Sequence, residues 1–385
     1  MMKTTLSNPA QTTRPPLTPI ALLLIAALLS SCVRSLSSGP AVSIQTSAPS
    51  QAPEPIAGPT LRALAQEQGR WVGVAVEPSL IANDPIYAEL LARQFNMITP
   101  EVAMKFEVLH PERSRYDFSE GDAILAFARA HNMAVRGHTL VWDQQLPAWL
   151  TEGQFSREEW RSILQDHIRT VVGHYRGKLT AWDVVNEAFD DNGSLRNTVW
   201  LRNIGPEYIA LAFRWAHEAD PQARLFYNDN GGEGLNRKSD AIYALAQGLL
   251  RDGISIGGIG MEMHTWLGGP PNPADLAANL GRLARLGLDV HITEMDIRTQ
   301  YSQKPAAEKL ADQASMYREI FSTCLAAPNC KAFVTWGLTD RYSWIPAKTN
   351  KPDAPLLFDE QGRPKPAFFS IRDALMGKPP TPPAP

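Results

Sequence analysis

Eight short apolar segments, separated by stretches of helical spacing, recur along this chain and leave few architectures open to it. They cover residues 71–76, 96–99, 133–138, 181–185, 224–228, 259–264, 288–293 and 332–336. Between them apolar residues return every third or fourth position, as in Leu276, Leu280 and Leu283, or in Leu310, Ala314, Tyr317, Phe321 and Cys324. That is the period of a helix with one buried face. Strand followed by helix, repeated, predicts parallel β/α units. Eight repeats predict an α/β fold whose strands close into a (β/α)8 barrel, as one domain.

A barrel of this kind uses about 250 residues or more, so a chain of 385 holds one barrel with extensions at its ends. A hydrophobic fraction of 44% is enough for a sizeable core. Residues 1–19 carry Lys3 and Arg14 and no acid, and residues 20–29 form an apolar run that ends at Ser30, Ser31 and Cys32. This reads as an export signal, too short for the ~20 residues that span a bilayer. Leu29-Ser30-Ser31-Cys32 resembles a bacterial lipobox, so the chain is expected outside the cell or on its surface, lipidated at Cys32. A cleaved signal with an incidental Cys32 is the alternative. Residues 33–59, rich in Ser, Ala and Pro, read as an extended tether, and the Pro-rich residues 378–385 as a tail. The folded unit is then residues 60–377.

Cys324 and Cys330 flank a five-residue turn between the last long helix and the eighth strand. Export makes a disulfide the expectation there, with two reduced buried thiols as the alternative. A net charge of −3 without a basic run offers no field for nucleic acid or for an anionic membrane surface. A neutral partner is favoured. Ten Trp are available to stack on sugar rings, although burial is the default for any one of them.

In a β/α barrel the reacting groups sit at the C-terminal ends of the strands. Strand three runs into Arg136-Gly137-His138-Thr139-Leu140-Val141-Trp142, strand four into Asn186-Glu187, strand six into Glu262-Met263-His264, strand seven into Thr293-Glu294-Met295-Asp296 and strand eight into Trp336. Glu187 and Glu294 directly terminate apolar strands on opposite sides of such a barrel. Glycosidic hydrolysis needs such a pair: one carboxylic acid protonates the leaving oxygen, and a second carboxylate attacks the anomeric carbon or activates water. Asn186 adds an amide for a sugar hydroxyl, and His264 and Asp296 are placed to orient each other and Glu294.

The blocks Gly137-His138-Thr139-Leu140-Val141-Trp142, Trp182-Asp183-Val184-Val185-Asn186-Glu187, Thr293-Glu294-Met295-Asp296 and Trp336-Gly337-Leu338-Thr339-Asp340-Arg341-Tyr342-Ser343-Trp344 resemble the signature blocks of glycoside hydrolase family 10, the endo-β-1,4-xylanases. The resemblance runs in order over about residues 61–375. It implies a retaining xylanase without cofactor or metal, acting on xylan and xylo-oligosaccharides as a monomer. Glu187 matches the acid/base, Glu294 the nucleophile, and His264 with Asp296 the pair that positions it. Asn186 matches the amide on the 2-hydroxyl. Glu101, Lys105, His138 and Gln145 match sugar-binding groups, and Trp142, Trp336 and Trp344 the aromatic walls of the cleavage subsite.

Where the family usually has Asn and Trp, Val102 and Phe106 stand here, which predicts weaker binding of the second glycone sugar. Asn230 stands where a Tyr often stacks on the leaving-side sugar. Glu262 replaces the usual Gln, and a third carboxylate there would push the Glu294 carboxyl up unless Glu262 is protonated or paired. Two other readings are kept: a related β-glycosidase acting on mixed β-glucan or aryl cellobiosides, and a catalytically silent glycan-binding surface lipoprotein.

Overall fold

The computed structural model describes residues 56–269 and 271–379. The signal segment, Cys32, the tether to residue 55 and residues 380–385 of the tail lie outside the described residues. Among the described residues there are nine strands: β1 (Trp71–Val76), β2 (Met97–Pro100), β3 (Ala134–Gly137), β4 (Ala181–Asn186), β5 (Arg224–Asp229), β6 (Gly258–Met261), β7 (His264–Trp266), β8 (Asp289–Arg298) and β9 (Cys330–Thr335). From β1 to β6 each strand pairs in parallel with the next, and β9 pairs with both β1 and β8. The β6–β8 ladder, with Gly258 opposite Asp289, closes the ring. Eight parallel strands therefore form a closed barrel, as the eight repeats predict.

The intervening helices bury the stripes read from the sequence. Leu276, Leu280 and Leu283 of the helix Pro273–Arg285 are buried, as are Ala314, Tyr317, Phe321 and Cys324 of the helix Ala306–Ala326, whereas Leu310 near the start of the latter is only half-buried. Start signals are local: Ser156 and Glu159 cap the helix Arg157–His174 reciprocally, satisfying backbone N–H groups that no helical carbonyl reaches. Among the described residues no helix is long and apolar enough to cross a membrane.

One strand departs from expectation. The segment 259–264 is not a single strand, because β6 ends at Met261 and the chain turns through Met263 in the left-handed region, at φ 64°. That uncommon conformation for a non-glycine residue is held by the Glu233 carboxylate, which accepts from the Met263 N–H at 3.0 Å. The chain then starts β7, which pairs with an extension of β8 beyond Thr293: His264 opposite Asp296, Thr265 opposite Ile297 and Trp266 opposite Arg298. This short ladder rises above the barrel mouth.

Cys324, on the last turn of the helix Ala306–Ala326, is joined by a disulfide to Cys330, the first residue of β9, across a Cα–Cα distance of 5.3 Å. A loop this short stabilises the fold by only about 2 kcal/mol through chain entropy. Cys324→Ser should lower the melting temperature by a few degrees under oxidising conditions and leave kcat/KM unchanged; a calorimetric scan with and without reductant checks this.

Candidate active site

The C-terminal ends of the barrel strands surround a cleft of about 760 Å³. Glu101, Lys105, His138, Trp142, Gln145, Asn186, Glu187, His264, Glu294, Trp336 and Trp344 all line it. Asp296 is fully buried one layer behind. Of the departures, Val102, Asn230 and Glu262 line the cleft. Phe106 does not: it is buried and stacked on His167 at a centroid distance of 3.7 Å.

Glu294 is fixed at both oxygens. Its Oε1 accepts from the Asn228 side-chain amide at 2.8 Å, and its Oε2 accepts from His264 Nε2 at 3.3 Å. His264 donates its other nitrogen, Nδ1, to Asp296 Oδ2 at 2.8 Å, and the same oxygen accepts from Trp344 Nε1 at 2.9 Å. Burial alone would favour a neutral ring, but Asp296 and Glu294 outweigh it and hold His264 up at about 10. An imidazolium can donate both ways at once. Burial also works against an anionic Glu294, yet His138, His264 and Lys105 together hold its carboxyl below the ordinary value. Glu294 is an ionised, oriented carboxylate.

Glu262 takes the opposite state. Burial first, then the nearby Glu294, Glu187, Asp229 and Glu233, push it well above the ordinary value of 4.5. Donor counting agrees. Asn228 Nδ2 lies 2.7 Å from Asn186 Oδ1, 2.8 Å from Glu294 Oε1 and 3.2 Å from Glu262 Oε1. Its own Oδ1 accepts from Thr293 Oγ1 at 2.7 Å, which fixes which way the amide points. Two hydrogens cannot serve three acceptors. A protonated Glu262 removes the conflict, because a neutral carboxylic acid supplies its own donor and is nearly isosteric with the amide of Gln. The alternative that leaves Glu294 ionised is the one present.

Glu187 follows the last residue of β4 and sits in the left-handed region at φ 52°. Its N–H donates to the Asn228 carbonyl at 2.9 Å. Strain of this kind persists only where surrounding contacts impose it, and it turns the side chain out of the strand into the cleft. Its Oε2 accepts from Arg196 Nη1 at 2.8 Å, which leaves Oε1 to meet a leaving group. Beside it, Asn186 commits Oδ1 to Asn228, so its NH2 is the end left to a ligand.

Lys105, Glu101 and His138 complete the floor. Lys105 donates to Gln145 Oε1 at 2.6 Å and stands 4.6 Å from the centroid of Trp142; burial lowers its ammonium, against Glu294 and Glu101. Burial, then Glu77, raises Glu101 to about 7. Asp183 accepts from both Arg136 and His138 Nδ1, the latter at 3.1 Å, placing the ring 3.9 Å from Glu294 Oε1.

The sequence reading assigns no role to Asn228, Arg136, Asp183, Arg196 or Glu233. Arg136 and Asp183 carry a signal: opposite charges inside two neighbouring apolar strand segments must neutralise each other when buried. Arg196 lies on a loop and carries none. Glu262, His264 and Glu294 are also the one trio among the described residues whose side-chain atoms, within 4.8 Å of one another, could share a cation. The imidazolium among them opposes that use.

Glu262→Gln tests the protonation assignment. A raised carboxyl stabilises the fold fully below its unfolded value, and that support is lost as pH climbs towards the folded value. The variant should therefore melt with the parent near pH ~4 and above it by a margin that grows towards pH ~8. A constant or shrinking margin in pH-resolved melting curves would contradict a protonated Glu262.

Comparison with known proteins gives consistent matches. The sequence model of glycosyl hydrolase family 10 matches residues 60–374. Endo-1,4-beta-xylanase B of Thermotoga neapolitana is 43% identical over 320 residues, covering 83% of this chain and 92% of the relative. The crystal structure of xylanase 10B from Thermotoga maritima superimposes with a TM-score of 0.80 at 42% identity, over 83% of this chain and 98% of that one. Xylanase 10B from Thermotoga petrophila RKU-1, solved in complex with xylobiose, gives 0.81 at 42% identity, over 84% and 98%.

Proposed function

Since the chain belongs to glycosyl hydrolase family 10, we propose that it is an endo-β-1,4-xylanase that hydrolyses internal bonds of xylan with retention of configuration. One observation carries the reading: an ionised Glu294, fixed by Asn228 and His264, shares its cleft with a second carboxyl, Glu187, held at a separate strand end. A binding protein has no use for that pair.

In the first step Glu294 attacks the anomeric carbon while Glu187 gives its proton to the leaving oxygen, so the glycosidic bond breaks and a glycosyl ester forms on Glu294. The negative charge of Glu294 disappears in this ester. In the second step Glu187, now a carboxylate, takes a proton from water, whose oxygen displaces Glu294. Arg196, donating to Glu187 Oε2, suits the anionic form that this step uses. Asn186 offers its NH2 to the 2-hydroxyl of the sugar under attack, while Trp142, Trp336 and Trp344 wall the ring.

Double displacement requires the two carboxyl groups to be about 5 to 5.5 Å apart. Glu294→Ala should abolish hydrolysis of every substrate. Glu187→Ala should still accept activated aryl xylobiosides, whose leaving groups need no proton, and should regain turnover with azide. Proton NMR of the first products decides the stereochemistry: newly formed α-anomer would overturn the assignment.

We also propose that the enzyme is exported and tethered through Cys32, on the strength of the apolar run, the lipobox-like segment and the Ser/Ala/Pro-rich stretch behind it. One acyl chain anchors only marginally, so attachment would need the several chains of a lipoprotein. Cys32→Ser should move the protein out of the membrane fraction; unchanged fractionation rules the anchor out.

A further inference from the structure

The third rung of the β7–β8 ladder takes no part in the reaction above, and it faces the cleft. His264 pairs with Asp296 on the first rung, Thr265 with Ile297 on the second and Trp266 with Arg298 on the third. The first pair is hydrogen-bonded on the cleft side. Side chains two residues apart on a strand stand on the same face, so Trp266 and Arg298 emerge there too, while Thr265 and Ile297 between them are buried. Trp266 is 41% exposed. It is nonetheless seated, because a Cβ on Gly269 would meet its ring at 2.7 Å and only glycine lets the chain lie so close.

Trp344, tied to Asp296, carries two cations: the Arg298 guanidinium lies 5.5 Å and the Lys348 ammonium 4.6 Å from its ring centroid. All four residues line the cleft. Arg196 and Lys238 nearby are each paired with carboxylates. Arg298 and Lys348 make no ion pair among the described residues, and Arg298 Nε is buried without a partner. An exposed indole beside two uncompensated cations, held on a second indole, offers a pyranose face a stacking surface and a carboxylate a charged one.

We propose that Trp266, Arg298, Trp344 and Lys348 form a subsite for a uronic acid side group of xylan, with Trp266 stacking on its ring and Arg298 and Lys348 pairing with its carboxylate. The proposal rests on the xylanase reading and adds to it a preference for acidic, branched xylan.

The test measures kcat/KM of the full-length protein on glucuronic-acid-substituted xylan and on unbranched xylohexaose. The double variant Arg298→Gln, Lys348→Gln should lose about tenfold or more on the acidic substrate, the scale of a lost charge-assisted contact. On xylohexaose it should stay within about twofold of the parent, since no contact with the linear chain is removed. Trp266→Ala should show the same selective loss, and added salt should erode the parental preference for acidic xylan. Equal losses on both substrates, or none on either, overturn the proposal. A parent protein that leaves xylohexaose intact overturns the xylanase reading instead.

Discussion

The side-chain amide of Asn228 joins three walls of the barrel mouth. From β5 it reaches Asn186 at the end of β4, Glu262 beyond β6 and, with Thr293, Glu294 on β8. The backbone carbonyl of the same residue receives the N–H of Glu187. Both proposed catalytic carboxyls are thus referenced to one residue, so their separation is set by a covalent unit and not by the sum of many loops. Groups placed this way are preorganised, which is what attack by one carboxyl and proton donation by the other demand.

Around this hub the site accommodates an unusual density of acids. Glu101, Glu187, Glu262 and Glu294 line one cleft, with Asp183 and Asp296 beneath. Such crowding is tolerable because the acids are answered: Arg196 for Glu187, Arg136 for Asp183, a shared imidazolium for Glu294 and Asp296, and a proton for Glu262, while burial and Glu77 raise Glu101 to about 7. Water exclusion sharpens every one of these interactions. It also makes each partner hard to replace singly.

The barrel and the carboxyl pair were legible because both are carried by local pattern: apolar runs give strands, and a polar residue at the end of such a run lands at the mouth. β7 was not legible, since three residues with the pattern His264, Thr265, Trp266 continue the apolar run of β6, and only the turn at Met263, held by Glu233, separates them. Partners fixed by tertiary contact were equally silent. Arg136 meets His291 across a sequence gap of 155 residues, and the donor count at Asn228 depends on strands far apart in the chain. The state of Glu262 was posed by the sequence as a choice and decided by burial.

The pair Arg136 and Asp183 shapes the mutational paths open to this protein. The guanidinium donates to both carboxylate oxygens, stacks 4.6 Å from the ring centroid of Phe226, and is met from the other side by His291, which burial and Arg136 keep neutral. Removing one partner of a fully buried ion pair typically destabilises by about 3 to 5 kcal/mol, a large share of the margin of a whole domain, whereas exchanging both for well-packed apolar residues can be nearly neutral. Single-step drift at either position is therefore blocked from both directions. Asp183 also holds His138 beside Glu294, so the two-step route that would preserve the fold strands the ring and forfeits the site. Stability and activity lock the pair together, and descendants of this sequence inherit it whole.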